Sequence, residues 1–519
     1  MPKRLLLQLF HLGHLFLTVN YKKKKKLYCN KTEALLVSVI LRQICNNCYL
    51  ILNFACTGDK TAFFFKFGEV IHQFYLKMNI TLPNKRNLFF TFILIVLNNT
   101  PAKAQNKAQT LHELNSLLVN TVMVDFFTPP VASRIYSYPN IAFYECIRQD
   151  DVNLPAISGK LNGLNTIPAA PKDNTIDNFI AACIAYSYVA QNLVGSEYKL
   201  EDWRKAFVDS LLLNGDPEKT KNSLLYGRTV ADSILLWAKK DNYGPSRGMP
   251  RFSISDKQGT WQPTPADYAP AIEPHWNTMR PYTLKSPSQF SPKDKLPYSR
   301  KKNSVFYKSM MEVYEIVNKL DTVQKAIAKY WDDNPNVSVN VGHLNYFIHK
   351  ISPGGHWLMI TKQACQEKDE SVGRSSLAYA LTSIALYDAF ICSWDEKFKS
   401  NLIRPITVIN DFVDKNWQPY IQTPPFPEFT SGHAVISNSA ATVLTALFGD
   451  HFEFTDKTEI PFGNDTRHFK SFYEASEEVS WSRVYGGIHY PETARISIIQ
   501  GREVGNHVLK TLYPSAVTK

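Results

Sequence analysis

The sequence predicts an all-α protein: two packed helical bundles with a long proline-rich loop wrapped around them. Three observations carry that expectation. Apolar residues recur three and four positions apart along most of the chain beyond residue 104. An alternating strand set with tight hairpin turns is not legible. Residues 241–302, which hold 10 of the 30 prolines, separate two groups of helical segments.

Taken in order, the helical period marks 108–126, 176–195, 200–213 and 219–239 before the loop. After it come 303–331, 341–366, 373–394, 432–449, 466–485 and 493–512. The loop itself carries Trp261, Tyr268, Trp276, Tyr282 and Phe290. So many aromatic residues need apolar cover, so the loop is expected to lie on the helical body. No run reaches the roughly 18 uncharged apolar residues that a membrane span requires. The nearest, SSLAYALTSIALYDAFICSW, contains Asp388 and reads as a buried core helix. The mature chain is therefore expected to be soluble and not membrane-embedded.

At 519 residues, 44% apolar and 13% aromatic, the chain can bury a large core. Its formal charge of +12 invites a nucleic-acid or membrane-surface partner. The distribution removes the invitation. Residues 1–104 carry 15 Lys and Arg against 3 Asp and Glu, and the remainder is balanced at 43 against 43. No nucleic-acid partner is expected.

The N-terminal segment reads as foreign to the rest. Lys22 to Lys26 form an unbroken lysine run, and Cys29, Cys45, Cys48 and Cys56 are half of the cysteines. Cys45 and Cys48 make a lone CxxC without a second ligand pair, so zinc is not expected there. Met78 opens a complete export signal: Lys85 and Arg86, the apolar run Leu88 to Leu97, then Ala102-Lys103-Ala104 as cleavage site. The expected organisation is an extension over 1–77, a signal peptide over 78–104 and a helical domain over 105–519. Leu5 to Val19 is the poorer alternative signal, since it contains two histidines and a glutamine. The expected location is exported, either periplasmic or secreted. The mature part keeps Cys146, Cys183, Cys365 and Cys392, too scattered for a disulfide framework.

Three stretches carry the chemistry. In KFKSNLIRP, Lys397 and Arg404 stand seven residues apart, nearly two whole helical turns, so they are expected on one helix face, with Pro405 ending the helix. In FTSGHAVISNSAATVLTALFG, Ser431-Gly432-His433 opens an apolar helix, whose first N–H groups form an anion site. In SRVYGGIHYPE, Arg483 and His489 flank Gly486 and Gly487, which let the chain bend so that both reach one point. Each piece alone has an ordinary structural explanation. Together they assemble a lysine, two arginines, two histidines and backbone donors, a set that suits a tetrahedral or trigonal-bipyramidal oxyanion.

In motif order and spacing these stretches resemble the signature of the type 2 phosphatidic acid phosphatase and vanadium haloperoxidase superfamily, closely over 394–493. Thr260 to Tyr282, Pro353 to Trp357 and Thr423 to His433 further resemble its soluble, exported haloperoxidase-like branch. The resemblance implies paired helical bundles, with the oxyanion site in the C-terminal one. It implies that Lys397, Arg404 and Arg483 neutralise the equatorial oxygens, with Ser431 and the Gly432 N–H adding hydrogen bonds. His489 is the implied axial ligand of vanadium, or the nucleophile that attacks phosphorus, and His433 the general acid and base. Trp394 and Phe426 fall where an aromatic pair lines a halide pocket.

Two departures stand out. Thr430 replaces the usual proline, which should loosen the approach to the helix. Thr493 replaces an aspartate that fixes the second histidine in the phosphohistidine mechanism, although another carboxylate could substitute. Asp332 and Asp333 are candidates to pair with one arginine. The favoured reading is a haloperoxidase that holds vanadate and acts on hydrogen peroxide and halide. A phosphatase acting on phosphate monoesters is the alternative, and an oxyanion-binding protein without turnover the third.

Overall fold

The computed structural model describes residues 107–171, 175–335, 337–341 and 343–516. The expected extension and export signal lie outside the described residues.

Five helices build the first bundle: α1 (Lys107–Val124), α2 (Pro129–Ile147), α3 (Asn178–Gln191), α4 (Tyr198–Asn214) and α5 (Pro217–Ala238). The Asp177 and Asp216 side chains cap α3 and α5 by accepting their first backbone N–H groups. Helix α2 was not legible from its pattern. Every one of its residues is buried, so no polar face marks a period, and Pro129, Pro130 and Pro139 obscure it further. The two leading prolines occupy the first turn, where no intrahelical N–H is needed.

A short α6 (Tyr243–Arg247) opens the proline-rich loop, which lies on the body as expected. Trp261, Trp276 and Tyr282 are fully buried. Helices α7 (Val305–Asn318) and α8 (Thr322–Tyr330) replace the single helix expected over 303–331, since Asp321 starts a new helix with a capping box. Beyond them the expectation of helix over 341–366 is corrected. An antiparallel hairpin, β1 (Ser338–Val341) and β2 (Leu344–Phe347), precedes α9 (Pro353–Glu367), which Ser352 caps.

The second bundle is formed by α9, α10 (Val372–Ser400), α12 (Gly432–Phe448), α13 (Phe472–Tyr485) and α14 (Pro491–Leu512), with α11 (Pro405–Phe412) beside it. A second small hairpin, β3 (Phe454–Asp456) and β4 (Arg467–Phe469), takes the first residues of the stretch expected as helix from 466. Helix α10 is the axis: it packs against α2 on one side and α12 on the other. By length and composition it is the one described helix apolar enough to cross a membrane, yet its apolar window is wholly buried. Asp388 accepts the Tyr282 and Thr283 N–H groups at 2.7 and 2.8 Å and the Thr283 hydroxyl at 2.6 Å. The buried charge thus fastens the loop to the core helix.

Close approach sets how α12 sits. A Cβ at Gly501 or Gly505 of α14 would fall 2.3 Å from the Val435 carbonyl or 2.7 Å from that of Ser439. Only glycine lets the two helix backbones touch at these points. Ser497, on the same helix, accepts the Ser431 N–H at 2.9 Å and so fixes the start of α12. All four described cysteines are buried and free.

Candidate active site

Lys397 lies in the last turn of α10, which ends where Asn401 turns left-handed at φ 47. Arg404 is beyond that end, at the N-cap of α11, and Pro405 begins this new helix. The two cations therefore share no helix face, contrary to the spacing argument. The turn between the helices brings them together instead. Arg483 closes α13, Gly486 caps it and Gly487 takes φ +76, which aims His489 back toward Arg483 before Pro491 opens α14.

These side chains meet in one buried place. Lys397, Arg404, Ser431, Arg483 and His489 are each at most 2% exposed. Arg404 donates through Nε to the Phe426 carbonyl at 2.9 Å and through Nη1 to that of Ile488 at 2.7 Å. The same Nη1 lies 3.3 Å from His489 Nε2. Arg483 donates to the Trp331 carbonyl at 2.6 Å, and Asp332 sits 3.8 Å from its Nη2, so the expected carboxylate partner is present. Lys397 is turned to its own wall: Nζ donates to the carbonyls of Pro427 at 3.0 Å, Glu428 at 3.1 Å and Thr430. It contributes charge at the site while its three protons hold the 427–430 loop.

Among the predicted cage residues, four buried polar atoms lack a hydrogen-bond partner: Arg404 Nη2, Arg483 Nε, Ser431 Oγ and His433 Nε2. Ser431 is the N-cap of α12 without making a cap bond, so its hydroxyl is not spent on the helix. The first N–H groups of α12, at Gly432 and His433, have no intrahelical acceptor. Buried donors of this kind are costly to leave unmatched. An oxyanion would match them, and the donor set fits vanadate or phosphate by charge and by number.

The electrostatics agree. Burial, then Arg404, pulls the Lys397 ammonium well below its ordinary range. Burial also lowers Arg404 to about 10, despite Glu428. Burial holds His489 well below its usual value, reinforced by Arg404, Lys397 and Arg483. His433 is lowered well below its usual value by burial, then by Arg483 and Lys397. All these groups feel one another, and the excess is positive. Both histidines are neutral at neutral pH.

Glu428 is the residue that sequence reasoning missed. It is fully buried, and its Oε1 accepts from His489 Nδ1 at 2.7 Å and from the Tyr490 N–H at 3.1 Å. Its Oε2 accepts from the Thr493 hydroxyl at 2.9 Å. Thr493 is thus no simple loss of a carboxylate: it orients the carboxylate that fixes the histidine. One signal was available, since Glu428 is the lone charge between Lys415 and Asp450, three residues before Ser431. Burial raises this carboxyl to about 7, against the pull of Arg404. Thr430 corrects another expectation. Its hydroxyl donates to Gln500 of α14 at 2.8 Å, so it fastens the approach to α12 rather than loosening it.

Beside the cage, the Trp394 and Phe426 rings lie 5.0 Å apart at 51°. Lys397 Nζ sits 4.9 Å and Arg404 Cζ 5.1 Å from the Phe426 centroid. The aromatic pair therefore borders the cations directly.

The VCPO second helical-bundle domain matches residues 377–514, which include every cage residue. A bacterial vanadium-dependent iodoperoxidase is 42% identical, with a TM-score of 0.74, over 78% of this chain and 97% of that one. A holo-type bacterial vanadium-dependent chloroperoxidase shares the fold at 16% identity and a TM-score of 0.57, over 76% of this chain and 94% of that one. The apo-type chloroperoxidase matches at the same identity and TM-score, over 75% and 95%. No curated protein matches the chain.

Proposed function

Because this chain belongs to the vanadium-dependent haloperoxidase family, and is thus an oxidoreductase, we propose that it oxidises iodide with hydrogen peroxide at a vanadate held by its cage. The observation that carries the cofactor is the set of four buried, unmatched polar atoms among three buried cations. The iodide reading rests on the 42% identity to a bacterial vanadium-dependent iodoperoxidase.

Arg404, Arg483 and Lys397 would hold vanadate by charge, and Ser431 with the α12 N–H groups by hydrogen bonds. His489 Nε2 would ligate it. When bound, vanadate supplies the Lewis-acid centre that activates peroxide toward halide. The chain does the rest. Glu428 accepts a hydrogen bond from the Nδ1–H of His489, which leaves the lone pair on Nε2 facing the cage. His433, whose pKa burial and then Arg483 lower, would serve at Nε2 as the group that takes a proton from peroxide and gives it back. The buried Trp394 and Phe426 rings give halide a soft, water-excluding wall next to the cations.

The His489–Glu428 pair also supplies what a phosphohistidine needs, which favours phosphate monoester hydrolysis as the second reading. Export remains our proposal from residues 78–104, and N-terminal sequencing of the secreted protein tests it. Mature protein starting at Gln105 supports it, and retention of Lys22 to Lys26 refutes it.

The test of the halide is a series. After reconstitution with orthovanadate, kcat/KM with iodide, bromide and chloride is measured at fixed peroxide. Iodide is expected to be preferred, and oxidation of bromide or chloride at equal efficiency would overturn the iodide assignment.

A further inference from the structure

A second group of chemically capable side chains lies behind the cage. His356, in the first turn of α9, is fully buried between two aspartates. Its Nδ1 is 3.0 Å from Asp333 Oδ2 and its Nε2 2.7 Å from Asp456 Oδ2. Glu459 Oε1 lies 3.9 Å from the same Nδ1. That oxygen is buried and has no hydrogen-bond partner, on a residue only 6% exposed. Its other oxygen accepts from Asn464 at 3.0 Å. One carboxylate atom is thus held toward the cluster without a hydrogen bond.

Asp333, Asp456 and Glu459 put three carboxyl groups around one imidazole. Among the described residues no lysine or arginine forms an ion pair with any of the three. His356, which pairs with all three, can supply at most one positive charge against three carboxyl groups, and a surplus of buried negative charge is costly unless something neutralises it. One donor atom each from Asp333, His356 and Glu459 lies within 4.8 Å of the others. A first-row divalent ion at about 2.1 Å from each donor needs them somewhat closer, a closure of roughly an ångström by Glu459.

We propose that Asp333, His356 and Glu459 bind one divalent transition-metal ion, with Asp456 as the outer partner that orients the histidine. The imidazole donor selects a first-row ion of the zinc type over calcium or magnesium, which prefer all-oxygen sites. The ion bonds to the His356 Nδ1 lone pair, so any proton on Nδ1 leaves to solvent as it enters. The Nε2 proton stays on the hydrogen bond to Asp456, the usual carboxylate–histidine–metal arrangement. A cavity lies on the Asp456 side of the cluster. Gln363 and Thr458 line a cavity of about 900 Å³, and both donate to Asp456 Oδ1, at 3.2 and 3.0 Å. The ion ties together three segments remote in sequence. One of them, at 331–333, also carries the carbonyl and carboxylate that hold Arg483. The site is distinct from the vanadate cage and does not depend on which halide is used.

The test uses the vanadate-loaded protein, so that the cage is filled, after removal of adventitious metal with a chelator. Equilibrium dialysis against zinc sulfate, read by elemental analysis, should give one zinc per chain. Glu459→Gln and Asp333→Asn should each abolish stoichiometric binding, and Asp456→Asn should weaken it by roughly 10- to 100-fold. Zinc should raise the thermal midpoint of the wild type and not that of Glu459→Gln. X-ray absorption on wild type, which needs no variant to fold, should show a single histidine among oxygen donors. Absence of bound zinc, a spectrum without histidine or with two, or undiminished binding by folded Glu459→Gln would overturn the proposal.

Discussion

Replacing Glu428 by glutamine keeps the size of a fully buried side chain and removes its charge. In the native site this carboxyl accepts from His489 Nδ1 at 2.7 Å, from the Tyr490 N–H at 3.1 Å and from the Thr493 hydroxyl at 2.9 Å. A hydrogen bond to a charged acceptor contributes about 1.5–3 kcal/mol. Loss of the outer partner of a metal-bound histidine typically costs about 10- to 100-fold in affinity, or about 1.4–2.8 kcal/mol. The two estimates agree, so the vanadate Kd of Glu428→Gln should rise by about that factor. Turnover at saturating vanadate should change less, because the proton-transfer group His433 is untouched.

The pH dependence gives an independent check. The Glu428 carboxyl is raised to about 7 by burial, so below that pH it is neutral and can donate to His489 Nδ1. The histidine proton then faces the cage on Nε2. Vanadate affinity of the wild type, relative to Glu428→Gln, should therefore rise with pH through about 7. Stability runs the other way. A carboxyl whose folded pKa is raised contributes stability at low pH, and that contribution is lost as pH climbs from about 4.5 to about 7. Without vanadate, the wild type should lose up to about 3 kcal/mol over this window relative to Glu428→Gln. Equilibrium dialysis and chemical denaturation at several pH values measure both. A Kd within twofold of wild type, with the same pH profile, would refute the assigned role.

Other outcomes follow from the same geometry. His489→Ala should lose vanadate affinity along with activity, whereas His433→Ala should still bind and lose about 10²- to 10⁴-fold in turnover; equal loss of binding in both would contradict the division of roles. Phosphate should displace vanadate along a simple competitive isotherm, and simultaneous binding would mean more than one site. Gly487→Ala should destabilise the fold by at least about 1–2 kcal/mol, since φ is +76 and its Cβ would lie 3.0 Å from Pro419 Cα and from Val317 Cγ2. A thermal midpoint unchanged from wild type would argue against that backbone.

Much of the cage was legible because its residues sit in short local motifs. Ser431-Gly432-His433 announces a helix start, and Arg483-x5-His489 a bend, whatever the tertiary structure around them. What failed were inferences that needed the third dimension. Lys397 and Arg404 meet through a turn at Asn401, where a seven-residue spacing suggested one continuous helix. Helix α2 escaped because complete burial erases the polar stripe on which periodicity depends. The hairpin at 338–347 is short and flanks a helix, so its few residues blended into the neighbouring pattern. Glu428 was overlooked for a different reason. Its role is defined by Thr493 and His489, 65 and 61 residues away, and only folding brings them into contact.

The central claim is that one vanadate, held by Lys397, Arg404, Arg483, Ser431 and the start of α12 and ligated by His489, makes this protein a haloperoxidase. The most direct measurement is a stoichiometric titration of vanadium-free protein with orthovanadate, followed by iodide oxidation at fixed peroxide. Activity should be absent at the outset, rise linearly and stop at one vanadium per chain. Oxidation of iodide before any vanadate is added, or no oxidation once one vanadate per chain is bound, would contradict it.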